Sequence, residues 1–428
     1  MSQVHATLDH LFRREFGKTV GRLTRFLGPS HLDLAENAVQ EAMLKAVQSW
    51  PLNGTPENPT SWILRVAKNA AIDQIRKSKN IDFEDSSLLE SLEDQNKVEY
   101  FSENEIKDDQ LKLMFICCHP ILPKESRVAL TLKTVCGFSV EEIAKGFLTK
   151  PETIAQRIVR AKRKISSAGI RFEVPDPSLI NERLDSVLEV LYLLFNEGYS
   201  ATSGDSLIRK DLCDEAVFRL SHLILQPICQ LPKVFALLAL MHFQISRFNA
   251  RTDNSGELLL LEEQDRGVWD KEHIAKGLKY LELASEGDEL TTYHLEAGIA
   301  SCHAIALRHQ DTDWKTILNY YDILEIQNPS SIVSLNKAVA LAMVEGYAEG
   351  LRALNRIKNR PQIKTYYLLY ATFGEMHRRL GEFFKAKGYY ETALNLVGTE
   401  PEKRLLSKRI ETCNQEIINN DSGEKIWN

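Results

Sequence analysis

The residues best placed to do chemistry cluster between positions 153 and 164. Gln156, Arg160 and Arg163 recur at three- and four-residue steps, flanked by Thr153, Arg157 and Lys164. Ile154, Ile158, Ala161 and Ile165 occupy the complementary steps. This spacing predicts an amphipathic helix with an apolar inner face and a cationic outer one. Arg and Gln pair with base edges in a DNA major groove, and Lys and Arg neutralise phosphates. A second polar and basic set, Arg65, Lys68, Asn69 and Arg76, falls on one face of a helix predicted over 61–79, with Ile63, Val66, Ala67 and Ala70 inward.

Nothing comparable supports covalent chemistry. Neither GxGxxG nor GxxxxGK[S/T] occurs, so no glycine-rich phosphate loop is expected. The seven cysteines are odd in number, scattered and without a CxxC pair, which argues against a disulfide framework or a zinc site. Cys117-Cys118-His119 reads as small apolar residues closing a helix before Pro120. Glu262-Glu263-Gln264-Asp265-Arg266 has carboxylates enough for a site but reads as a charged helix surface. No catalytic residue, metal ligand or cofactor is expected.

The elements that must position these sets are helical throughout. Apolar stripes run over 8–27 (Leu8, Leu11, Phe12, Phe16, Val20, Leu23, Leu27) and 33–50 (Ala35, Ala38, Val39, Ala42, Ala46, Trp50), then a Pro-rich loop over 51–59. A helix over 124–135 ends at Gly137. Ser139-Val-Glu-Glu142 and Thr149-Lys-Pro-Glu152 both have the form of a capping box and nominate two helix starts separated by a turn near Gly146. A short helix, a turn and a basic second helix make a helix-turn-helix. Beyond 173–182, which holds two prolines, apolar helical segments alternate with polar turns. Asp311, Gly346 and Gly381 mark turns 35 residues apart, and Pro329 and Pro401 are read as closing two units.

The chain has 428 residues and a net charge of −6, with 43% hydrophobic and 26% charged residues, a globular balance. That mean hides a pattern: +4 over 1–80, −9 over 81–110, +8 over 111–172 and −9 over 173–428. Two basic blocks separated by an acidic strip suggest two nucleic-acid contacts. No apolar run is long enough to span a membrane, and the N-terminal residues lack the apolar core of a signal peptide. A cytoplasmic location without membrane contact is therefore expected.

DLAENAVQEAMLKAVQSW (Asp33–Trp50) followed by PENPTSWILRVAKNAAIDQIRK (Pro56–Lys77) resembles the second region of bacterial sigma factors. FSVEEIAKGFLTKPETIAQRIVRAKRKI (Phe138–Ile165) resembles their fourth region. With a linker between them and no other sigma region, the layout is that of the extracytoplasmic-function (ECF) group. LYLLFNEGYSATSGD (Leu191–Asp205), LLLLEEQDRGVWD (Leu258–Asp270) and DTDWKTILNYYDIL (Asp311–Leu324) resemble the subgroup fused to a tetratricopeptide-like domain. The resemblance implies an all-α protein. A polymerase- and minus-ten-binding module would span 1–80, an acidic linker 81–107, a minus-thirty-five-reading helix-turn-helix module 108–172, and an α-solenoid regulatory domain 173–428. It implies core RNA polymerase and promoter DNA as partners. Glu36, Gln40, Glu41 and Lys45 would face the polymerase clamp. Arg65, Lys68, Asn69 and Arg76 would track the melted strand, and Thr153, Gln156, Arg157, Arg160, Arg163 and Lys164 would contact the minus-thirty-five element. The C-terminal domain is expected to modulate activity through intramolecular contacts or a protein or peptide partner. The alternative is a one-component DNA-binding regulator with a tetratricopeptide sensor, which would not need the Asp33–Lys77 module.

Overall fold

A computed structural model describes residues 2–77, 103–147, 149–176, 178–199, 209–253 and 257–424. Of the expected acidic linker, 81–102 lies outside the described residues. Residues 103–107 already form the first turn of a helix. Among the described residues there is no strand; one isolated bridge joins Thr252 and Leu258. The chain divides into two compact units, Met1–Leu194 with Phe218–Cys229, and Phe195–Val217 with Gln230–Asn428.

The first unit holds α1 (Ser2–Leu27), α2 (Leu32–Asn53), α3 (Pro59–Lys77), α4 (Glu103–Cys117), α5 (Lys124–Thr134), α6 (Val140–Gly146) and α7 (Pro151–Ser167). Phe16, Val20, Leu23 and Leu27 bury one stripe of α1 against α2 and α3. The small residues of α2, Ala35, Ala38, Ala42 and Ala46, are fully buried and let its neighbours approach closely. The helix carries through Pro51 and stops at Gly54, whose N–H donates to the Trp50 carbonyl at 2.9 Å. The helix therefore ends three residues beyond the break expected at Pro51.

Helices α1 and α4 are joined by a buried ion pair, Arg22 to Asp109 at 2.8 Å. Burial pushes the Asp109 carboxyl up, against the pull of Arg22 and Arg25. Where α1 meets the end of α5 the backbones nearly touch. A Cβ on Gly17 would lie 2.0 Å from the Val135 carbonyl oxygen. The segments carrying the two basic sets thus pack together as one body.

That body extends beyond the proline-bearing 173–182 stretch, into the first part of α8 (Ile180–Tyr199) and the end of α9 (Lys210–Leu223). Arg183 donates to the Phe115 carbonyl and Arg219 to that of Val135, at 2.7 and 2.8 Å. Glu189 pairs with Lys124 and Arg127.

The second unit continues with α10 (Pro232–Ile245), α11 (Lys271–Ala284), α12 (Thr292–Ile305), α13 (Trp314–Gln327), α14 (Ser331–Glu345), α15 (Tyr347–Ile357), α16 (Tyr367–Arg379), α17 (Phe383–Leu394) and α18 (Glu400–Glu424). From α10 onward each helix packs on the next. Its core is accordingly a series of local clusters. Ile299, Ile317 and Ala340 form one, Leu335, Leu354 and Phe373 another, and Ala386, Tyr390 and Leu406 a third. Such stacking distributes stability between neighbours along the chain. Gly346 and Gly381 adopt positive φ (101° and 77°) immediately before α15 and one residue before the N-cap-flanked start of α17. Pro401 does not close a unit. It sits in the first turn of α18, where a proline lacks no needed donor.

Candidate nucleic-acid interface

The helix-turn-helix is assembled from local signals. Gly137, at φ 74°, ends the approach from α5, a conformation that favours glycine. Ser139 then caps α6 through a reciprocal box. The Glu142 N–H donates to Ser139 Oγ at 3.1 Å and the Ser139 N–H to Glu142 Oε2 at 2.8 Å. The second expected box does not form. The N-cap of α7 is Lys150, with no side-chain cap, because Pro151 takes the first helical position and the Thr149 N–H turns back to the Ala144 carbonyl at 3.0 Å.

On α7, Ile154, Ile158, Ala161 and Ile165 are buried. Gln156, Arg160, Arg163 and Lys164 are exposed, while Thr153 and Arg157 are half-buried at the margin. The six residues therefore share the outward side of one helix, as their spacing requires. On α3, Arg65, Asn69 and Arg76 are exposed and Lys68 is half-buried; burial lowers the Lys68 pKa. These four form a second outward stripe. Trp62, half-buried, packs edge-on to Trp50 with ring centroids 5.6 Å apart.

The four positions expected to face a polymerase do not share one environment. Gln40 and Lys45 are exposed, and Glu41 is half-exposed with its carboxyl held below the usual value by a hydrogen bond from Lys45. Glu36 is instead 3% exposed. Its carboxylate receives a hydrogen bond from Thr134 of α5 and an ion pair from Lys162 of α7 at 2.6 Å. Lys162, itself 9% exposed, also reaches Asp33 at 2.7 Å. Burial alone would lower its pKa; the Glu36 and Asp33 carboxylates reverse this and raise it. Spacing could not find this cluster, because its partners lie 98 to 129 residues apart. Spacing also passed over Leu44 and Val47, exposed apolar residues that follow Gln40 at helical steps.

The remaining candidates are engaged structurally. All seven cysteines are buried and none forms a disulfide. Burial pushes the Cys117 thiol well above its usual pKa and that of Cys118 to about 12. Among the described residues no cluster of His, Cys, Asp or Glu is arranged to hold a metal ion, and no helix is long and apolar enough to cross a membrane. The Glu262–Arg266 run is not a helix surface. Glu262 and Glu263 pair with Arg379 and Arg409, and Asp265 caps a short 3-10 turn at Arg266–Val268. Those partners follow more than a hundred residues later, which local charge spacing cannot reveal.

A capped helix-turn-helix with a cationic outer face, beside a second helical module with a polar and basic stripe, defines a DNA-binding protein. The chain matches the sigma-70 region 2 family over residues 11–81 and the sigma-70 region 4 family over 112–165. Residues 183–285 match a family of unknown function, DUF6596. An uncharacterized protein of Rhizobium meliloti is 36% identical over 397 residues, covering 92% of this chain and 93% of the relative. The ECF RNA polymerase sigma-E factor of Haemophilus influenzae is 26% identical over 37% of this chain and 84% of its own length. That of Escherichia coli K12 is 28% identical over 31% and 71%. The chain belongs to the ECF-type sigma factors and carries an extra C-terminal region. Members of this family are non-enzymatic transcription initiation factors.

Proposed function

We propose that this sigma factor binds core RNA polymerase in the cytoplasm and directs it to promoters through two surfaces. The outer face of α7 reads duplex DNA, and the stripe on α3 holds the melted strand. The observation that carries this reading is the α7 face. Its Gln156, Arg160, Arg163 and Lys164 stand free of the core on a scaffold that buries the opposite side. Gln40, Glu41 and Lys45, together with Leu44 and Val47, form the surface of α2 open to polymerase. Glu36 meets polymerase only after α7 and α5 leave α2, so engagement includes parting the two modules. The C-terminal unit modulates activity through contacts of its own.

Transcription in vitro tests the reading. Full-length chain is mixed with core polymerase and the DNA upstream of its own gene. A defined transcript is expected, and Arg160→Ala with Arg163→Ala is expected to abolish it while leaving polymerase binding intact. If the chain binds duplex DNA but not core polymerase, the one-component regulator takes its place.

A further inference from the structure

In the second unit, the segment Glu257–Asp265 lies against one face of the stack formed by α14, α16 and α18. Its three glutamates each meet an arginine: Glu257 with Arg404 at 2.9 Å, Glu262 with Arg379, and Glu263 with Arg409 at 2.6 Å. Leu260 and Leu261 sit among these pairs, facing a surface that includes Leu368, Met376 and Leu405.

The segment fits this face poorly. A cavity of about 290 Å³ remains between the two leucines and the helices. Every residue from Glu257 to Glu263 stays at least partly exposed, whereas Gln264 and Trp269 just beyond are buried. The three ion pairs have side chains 16% to 49% exposed, and pairs this open to water contribute little each. Trp314 lines the same cavity. Arg379 divides its charge between Glu262 and Glu375. Downstream the segment is anchored firmly, since the Arg266 guanidinium donates to the carbonyls of His303 and Ala306 at 2.6 and 2.9 Å. Upstream the Leu259 N–H donates to the carbonyl of buried Arg251 at 2.9 Å, so the segment is tied at both ends and lightly held across its middle.

We propose that this face is a docking groove for a partner peptide carrying two leucines followed directly by two carboxylates, and that Glu257–Asp265 is its built-in, weaker competitor. The arginines set the demand for carboxylates. The apolar cavity sets the demand for side chains that fill it more completely than Leu260 and Leu261 do. A tethered competitor acts at an effective concentration of roughly millimolar, so the groove excludes casual ligands and yields to a better-fitting one. The proposal rests on reading the C-terminal unit as an interaction region. Its test needs no polymerase, so its failure is separable from failure of the sigma assignment.

The probe is a fluorescent synthetic peptide with the sequence of residues 257–266, titrated into the full-length chain and followed by anisotropy. The native chain is expected to bind it weakly. Glu262→Gln with Glu263→Gln loosens the resident segment and is expected to tighten peptide binding about tenfold or more. Adding Arg379→Glu and Arg409→Glu is expected to abolish it, and a peptide with lysines at the two glutamate positions is expected to recover it. No gain on loosening, equal binding of a scrambled peptide, or binding that survives the arginine reversals each overturns the proposal. If the reversed chain loses helical circular dichroism, Glu257→Gln followed by Arg404→Glu repeats the test on the outermost pair, with the same two outcomes.

Discussion

Lys162 shows how one side chain can tie two helices together. It sits on α7 among the residues proposed to face DNA, yet its ammonium is turned inward onto Glu36 and Asp33. Removing one member of a buried pair strands the other, at about 3–5 kcal/mol. Lys162→Ala is therefore expected to loosen α7 from α2 and free Glu36. Pull-down by core polymerase should then strengthen relative to the native chain, while the melting temperature falls. Unchanged binding would place Glu36 outside the polymerase contact. Buried histidines of the second unit make a separate residue-scale prediction. Burial and the neighbouring His273 lower His242 from 6.5 to about 4. The folded chain thus binds fewer protons than the unfolded one below the unfolded value, and stability is lost as pH falls from about 6.5 towards 4. Denaturant midpoints at pH 7 and pH 4.5 should show this loss, and His242→Gln should shrink it. The outward side of α7 was legible because Ile154, Ile158, Ala161 and Ile165 define its opposite by period alone. The inward turn of Lys162 was not, because period specifies a face and says nothing of a partner from another helix.

At the scale of elements, the first unit depends on close backbone approach. Gly17→Ala would drive a Cβ into the Val135 carbonyl. It is expected to push α1 from the end of α5 at about 1–3 kcal/mol, visible as faster hydrogen exchange in α5 with helical content preserved. The supports from beyond residue 172 matter equally. A chain cut there loses the Arg183 and Arg219 hydrogen bonds to Phe115 and Val135 and the Glu189 pairs. Its sigma modules should melt below the corresponding transition of the full chain, as calorimetry would show. Helix positions up to about residue 166 were readable because apolar stripes and turn residues act locally; beyond that the sequence marked turns rather than individual helices. Two boundaries misread the same residue type: Pro51 continues α2 for three residues, and Pro401 opens α18. Proline forbids only the helix interior, so a single proline marks an end without saying which. The Glu262–Arg266 run was misread for the converse reason, since its charges look like a helix surface until Arg379 and Arg409 are placed beside them.

For the whole molecule, the sign of charge follows the division of labour. The two sigma segments carry +4 and +8, and residues 173–428 carry −9. Phosphate contacts give affinity that falls with salt, with a slope of about 0.9 per contact. Arg160→Ala with Arg163→Ala should reduce the salt slope of duplex binding by about 2. A change in affinity without a change in slope would assign those residues to base edges alone.

The buried thiols carry a further consequence. Cys117, Cys118, Cys136 and Cys229 belong to the first unit and Cys213, Cys302 and Cys413 to the second, all enclosed. An alkylating reagent reaches such a sulfur only when its surroundings open. The order in which these seven positions acquire label, read by peptide mass spectrometry, is a clock for each unit separately. Polymerase, promoter or peptide should each slow the hands of the unit it holds.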